Sequence, residues 1–181
     1  TAADYIFSSS TGTYSAITGN ISTAAGDDGT QSTIAIGFTF RYCGTNYTTF
    51  NVSINGHIYL SGASTWTNDL ASTTNKTIIA PLWDDLYDDA GSDVQYQLSG
   101  SSPNQVMTIH WRQIRWTGPS GSQQNFQIKL YETTNIIEFV YGAMNTPVSG
   151  TASIGINDAT GGSGHFISIT PAASPASSST V

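Results

Sequence analysis

The acidic side chains invite the first question, because oxygen-rich loops hold hard cations and paired carboxylates cleave glycosidic bonds. Five of the twelve acidic residues, Asp84, Asp85, Asp88, Asp89 and Asp93, fall within IIAPLWDDLYDDAGSD, residues 78–93. Such crowding repels itself unless something neutralises it, and a calcium ion in a Gly- and Ser-containing loop is one solution. The reading of this stretch is that Asp84 or Asp85 is structural, close behind a core Trp83, and that Asp88, Asp89 and Asp93 are the candidate calcium ligands. The spacing is not that of an EF-hand loop. Asp27-Asp28-Gly29 reads as ordinary turn chemistry. Glu132 and Glu138 are the only glutamates, one beside a hairpin turn and one on an outward strand position, the minimum for a small glycosidase. His57, His110 and His165 lack metalloprotease spacing, and no GxSxG motif is present. No catalytic residue is assigned, and the chain is expected not to be an enzyme.

Sugar rings pack their C–H faces on flat aromatic rings, while amide, carboxylate and guanidinium groups take the hydroxyls. HWRQIRWTGPSGSQQNF, residues 110–126, has that mixture. Trp111 continues an inward-facing set with Met107 and Ile109. Trp116 runs into a polar loop and is expected to be exposed, beside Arg112 and Arg115. Trp66 and Tyr87 are expected to extend the platform, and Tyr59 to face outward. The competing role for the two arginines is pairing with the acidic loop 84–93.

Strands must position these groups, since apolar residues recur with period two and not with helical period. Ile34, Ile36, Phe38, Phe40 and Tyr42 share one face. Phe50, Val52 and Ile54 lead through Asn55-Gly56, read as a tight turn with two positive-φ residues, to Ile58 and Leu60. Val94, Tyr96 and Leu98 precede Met107, Ile109 and Trp111. Phe126, Ile128 and Leu130 pair through a turn with Ile137, Phe139 and Tyr141, and Ile154, Ile156 and Phe166 follow. The expected fold is all-β, a two-sheet antiparallel β-sandwich that is jelly-roll-like. Residues 1–170 form the module and the Pro/Ser/Ala-rich 171–181 a linker or tail.

Composition limits the setting. Charged residues make up 9% of the 181 and the formal charge is −7, which disfavours binding to nucleic acid. The lone Cys43 cannot form an internal disulfide and reads as a small buried hydrophobe. A Ser/Thr-rich chain without disulfides fits a secreted bacterial protein. No run is long enough for a membrane span, and the N-terminus has no signal-peptide pattern, so the chain is expected to be excised or processed. The N-x-Ser/Thr triplets at Asn20, Asn46, Asn51 and Asn75 carry no weight in so Ser/Thr-rich a sequence.

The series GFTFRYCGTNYTTFNVSINGHIYL, IIAPLWDDL, NFQIKLYETTNIIEFVYG and SIGIND resembles a β-sandwich module of secreted, multidomain bacterial proteins, especially of Bacteroidetes with a type IX secretion signal. It is also distantly similar to the nidogen-like extracellular domain. The resemblance spans roughly residues 5–170 and rests on core and turn residues, so it implies fold and a secreted or cell-surface location but no catalytic residues. The expectation is therefore a monomeric, non-catalytic accessory module that binds carbohydrate or a cell-surface partner beside other domains of its parent protein. A ligand-free spacer is the alternative and a small glycosidase the third reading.

Overall fold

The structure, a computed structural model, describes residues 1–117, 123–145 and 151–170. The proposed tail 171–181 lies outside the described residues. After a single 3-10 turn at Ala2–Asp4 every described regular element is a strand: β1 (Asn20–Ile21), β2 (Thr30–Tyr42), β3 (Thr45–Ser53), β4 (His57–Tyr59), β5 (Ile78–Trp83), β6 (Leu86–Tyr87), β7 (Asp93–Ser99), β8 (Val106–Trp116), β9 (Gln123–Tyr131), β10 (Ile137–Met144), β11 (Ser153–Asn157) and β12 (Phe166–Ser168). One antiparallel sheet, called A, runs β1-β7-β8-β9-β10 with β6 also on β8; the other, B, runs β12-β11-β5-β4-β3-β2. The expected two-sheet antiparallel sandwich is present. Its wiring is two meanders, β2 to β5 and β7 to β10, with fewer passages between the sheets than a full jelly roll has.

Period-two patterning places the core. Ile34, Ile36, Phe38, Phe40 and Tyr42 are buried while the residues between them are exposed. They meet Met107, Ile109, Trp111, Phe126, Ile128 and Leu130 from sheet A in one cluster. The β7 pattern decays along the strand: Val94 is buried, Tyr96 is half-buried against Phe50, and Leu98 is exposed.

Sheet B is covered on both faces only at β4, β5 and β11. Every residue of β5 is buried, because Ile79 and Leu82 face sheet A while Ile78, Ala80 and Trp83 face outward into a second cluster with Tyr59, Leu70 and Phe166. The loop 61–77 supplies that cover, and Trp83 donates its indole N–H to the Thr65 carbonyl at 2.9 Å. Trp83 is therefore buried as expected, in this satellite cluster and not between the sheets.

The turn after β3 differs from its expected form. It is a three-residue loop, Ile54 to Gly56, in which Gly56 alone has positive φ, +75°. Asn55 is held instead by its side chain, which accepts from the Leu86 N–H at 2.8 Å and donates to Asp28 at 2.9 Å. A Cβ on Gly56 would lie 1.9 Å from the Leu82 carbonyl oxygen, so glycine is required by contact as well as by φ.

Candidate functional site

Strand β8 organises the candidate site through a change of parity. Met107, Ile109 and Trp111 point inward, and then the register slips between Trp111 and Ile114, with Gln113 at φ +57°. A bulge of this kind exposes two successive residues and reverses the alternation beyond it. Arg112 and Gln113 are half-buried, Ile114 and Trp116 are buried, and Arg115 is half-buried. Trp116 is thus not an exposed platform residue: only 4% of it is accessible, and its indole N–H donates to Asp84 Oδ2 at 2.8 Å. The polar loop that suggested exposure begins beyond it, and residues 118–122 lie outside the described residues.

Asp84 is the structural carboxylate expected of this stretch. It is buried, and besides Trp116 it accepts from the backbone N–H of Thr151 at 2.8 Å and of Asp85 at 2.9 Å. Asp85 takes the Thr117 hydroxyl at 2.9 Å; burial, ahead of neighbouring carboxylates, nets its carboxyl an upward pKa shift. The three carboxylates proposed as calcium ligands have separate partners. Asp88 accepts from the Gly26 N–H at 2.5 Å, Asp89 pairs with Arg115 Nε at 2.5 Å, and Asp93 takes Arg112 Nε at 2.9 Å and Nη2 at 2.6 Å. Among the described residues no group of three His, Cys, Asp or Glu side chains is gathered to hold a metal ion. Burial pushes the Asp93 carboxyl up, but hydrogen bonds from Arg112 and Gln95 and the Arg112 charge outweigh it and leave the pKa below the usual value.

These pairs lie on the outer face of sheet A, where cross-strand partners bring Asp93 opposite Arg112, Gln95 and Gln127 opposite His110, and Tyr87 and Gln123 opposite Arg115. A feature that no local pattern signalled lies across this face. Residues 8–19 form a strap whose Tyr14 hydroxyl is 2.6 Å from His110 Nε2, with the rings edge to face at 5.6 Å. Gln127 donates to the Ser15 carbonyl at 2.8 Å, and Gln95 accepts from the Gly19 N–H at 3.4 Å. Tyr14 sits over Gly142, where an added Cβ would lie 2.9 Å from its ring. The strap explains why Gln95, His110 and Gln127 are buried on an outward face and why they are bonded there. Burial, with Arg112 assisting and Asp93 opposing, brings the His110 pKa down to about 4, so the ring is neutral at pH 7.

The arrangement gathers four of the relevant groups on one face: Tyr87, Arg112 and Arg115 from the sequence reading, and Tyr14 from the strap. Both tyrosines and both arginines are half-buried, as are the neighbouring amides Gln113, Gln123 and Asn125. Carboxylate pairing restrains each guanidinium, and among the described residues Arg112 Nη1 has no acceptor and is left for a further one. Such side chains have the donors to hydrogen-bond hydroxyl groups and the rings to pack on flat apolar faces. Trp66 does not join it. That residue is half exposed in loop 61–77, next to Thr65, whose carbonyl accepts from Trp83 on the outer side of sheet B. Acrylamide is therefore expected to quench Trp66 and to leave Trp83, Trp111 and Trp116 protected, measured on variants that each retain one tryptophan; quenching of Trp116 equal to that of Trp66 would contradict its burial.

The remaining chemistry-bearing groups have local partners. Glu132 accepts from Ser102 Oγ at 2.8 Å and the Gln105 N–H at 3.0 Å. Glu138 takes the Tyr131 hydroxyl at 2.5 Å and lies 3.5 Å from Lys129 Nζ. His57 is fully buried between the Asn55 carbonyl at 3.2 Å and Ser64 Oγ at 2.5 Å, and burial brings its pKa down to about 4. This is a serine–histidine contact oriented by a carbonyl and not by a carboxylate, with a weakly basic ring. Asn157 and Asp158, in SIGIND, are buried organisers. Asn157 accepts from the Ile78 N–H and donates to the Leu70 and Asn75 carbonyls. Asp158 accepts from the N–H groups of Ala2, Thr160 and Gly161.

No curated protein and no solved structure matches the chain significantly. The family described as NIDO related matches residues 4–181, which includes both sheets and the strap. With a β-sandwich fold and a match over nearly its whole length, the chain belongs to the NIDO-related family and is a nidogen-related domain, a module of extracellular type.

Proposed function

We propose that this domain is a non-catalytic accessory module of a larger secreted bacterial protein and that it binds carbohydrate on the outer face of sheet A. The observation that carries the reading is the meeting of Tyr14, Tyr87, Arg112 and Arg115 on one face, with the guanidinium groups held by Asp93 and Asp89. Pre-set donors lose little entropy on binding a hydroxylated ligand. The charge-poor, disulfide-free composition and the likeness to modules of type IX-secreted Bacteroidetes proteins support the secreted bacterial setting. The same face can serve a cell-surface partner, and a spacer needs no ligand at all.

A glycan and polysaccharide screen, run with and without calcium, separates these readings. A carbohydrate ligand is expected, and Tyr87→Ala is expected to weaken it by about 1–3 kcal/mol, the range for loss of an aromatic contact. Absence of any glycan ligand, or affinity unchanged by Tyr87→Ala, would remove carbohydrate from this face.

A further inference from the structure

An open, shallow cleft of about 410 Å³ lies at one end of the sandwich, lined by Tyr5, Arg41, Cys43, Gly44 and Asn135 together with Thr1. The tips of two hairpins form it. Gly44 and Cys43 turn β2 into β3, and Asn135 closes the β9–β10 turn, where its Oδ1 accepts from the Arg41 N–H at 2.7 Å. Tyr5 is fixed against this frame by accepting from the Cys43 N–H at 3.2 Å and by ring contact with Tyr42 at 5.7 Å, and it stays partly accessible. A pocket of about 160 Å³ adjoins across Cys43, lined by Thr45, Tyr47, Asp158 and Thr160 among others.

Arg41 is the informative residue. The chain has twelve acidic and five basic residues, and the arginines of sheet A each have a carboxylate within 2.6 Å. Among the described residues no carboxylate lies within 4.0 Å of Arg41. Arg41 is thus exposed, without a carboxylate partner among the described residues, and on the lining of a cleft that also presents Tyr5. A planar fork of this kind matches a carboxylate in bidentate fashion, while the ring takes an apolar C–H face. Asp158, on the lining of the side pocket, disfavours a second anionic group there.

We propose that this cleft is a second ligand site, separate from the sheet A face, and that it takes a carboxylate-bearing sugar of the hexuronic acid type. Arg41 binds the carboxylate, Tyr5 packs on the ring, and the side pocket accommodates an adjoining residue.

Calorimetric titration tests this with an aldobiouronic acid, in which one hexuronic acid is joined to a neutral sugar, the matching neutral disaccharide, and sodium acetate, which carries the carboxylate without the ring. Binding of the acidic sugar is expected, with the neutral sugar and acetate each at least about tenfold weaker, since loss of one charge-assisted pair or of the ring contact removes at least about that factor. Arg41→Gln is expected to weaken the acidic sugar by about tenfold or more while the melting temperature stays unchanged, because the side chain is exposed. Tyr87→Ala, on the other face, is expected to leave this binding intact, so failure of one site is distinguishable from failure of the other. Absence of aldobiouronic acid binding, equal binding of the neutral sugar or of acetate, or insensitivity to Arg41→Gln overturns the proposal.

Discussion

Asp84→Ala is expected to lower the unfolding free energy by about 3–5 kcal/mol, whereas Asp89→Ala, five residues on, is expected to change it by less than about 1 kcal/mol. The two differ in what they leave behind. Asp84 is buried and accepts from Trp116 Nε1 and from the Thr151 and Asp85 N–H groups. Truncation strands these donors, and each buried one without an acceptor costs about 1–3 kcal/mol. Those bonds also tie the end of β5 to β8 and to the approach to β11, so the sandwich loosens at three elements together. Asp89 is partly exposed, and its pair with Arg115 is within reach of water. Urea unfolding of both variants measures the contrast, read as a fall in midpoint at constant m-value. Similar losses for the two would show that Asp84 does not have this role.

Acid is expected to destabilise the domain in two stages, and the histidines set the first. His57 is fully buried and its pKa falls from 6.5 to about 4 on folding. Between those values the unfolded chain takes up the proton that the folded one refuses, so stability falls as pH falls. The contribution is intact above pH 6.5, is lost progressively down to about 4, and levels off below. A shift of this size corresponds to about 3 kcal/mol. His110, beneath the strap, shifts the same way for the same reason. Asp158 sets the second stage. Burial opposes its ionisation, but the N–H groups of Ala2, Thr160 and Gly161 and the ring of His165 prevail and bring its pKa to about 2. Its stabilisation is present above the unfolded value of 3.8 and is lost as pH falls toward 2. Melting temperature against pH is the measurement, with His57→Gln as the control expected to flatten the slope between pH 6.5 and 4. A stability independent of pH across that interval would contradict neutral burial of these rings.

The core was legible because strands with one buried face leave a period-two trace, and β2 carries it over its five inward residues from Ile34 to Tyr42. Trp83 and Trp111 followed from their apolar neighbours. Elsewhere local pattern and tertiary environment diverge. Polarity after Trp116 pointed to exposure, yet the bulge at Arg112 and Gln113 turned the ring inward toward Asp84. Positive φ was expected at both Asn55 and Gly56, yet side-chain bonds to Leu86 and Asp28 hold Asn55 in another conformation. Tyr14 reaches His110 across 96 residues, and no spacing within a segment encodes such a contact. The sequence offers the pairing of Arg112 and Arg115 with the acidic loop as one role for these arginines. Its consequence was clear only in three dimensions: the same pairs that engage Asp89 and Asp93 hold two donors beside Tyr87.

The central claim is that the outer face of sheet A carries the ligand site, and amide chemical-shift mapping during titration with a carbohydrate from the screen tests it most directly. The predicted result is a set of saturating shifts confined to Tyr87, Arg112 to Arg115, Gln123 to Gln127 and the strap around Tyr14, the same in chelator and in millimolar calcium. Shifts confined to loop 61–77 around Trp66, or no shifts with any carbohydrate tried, would contradict it.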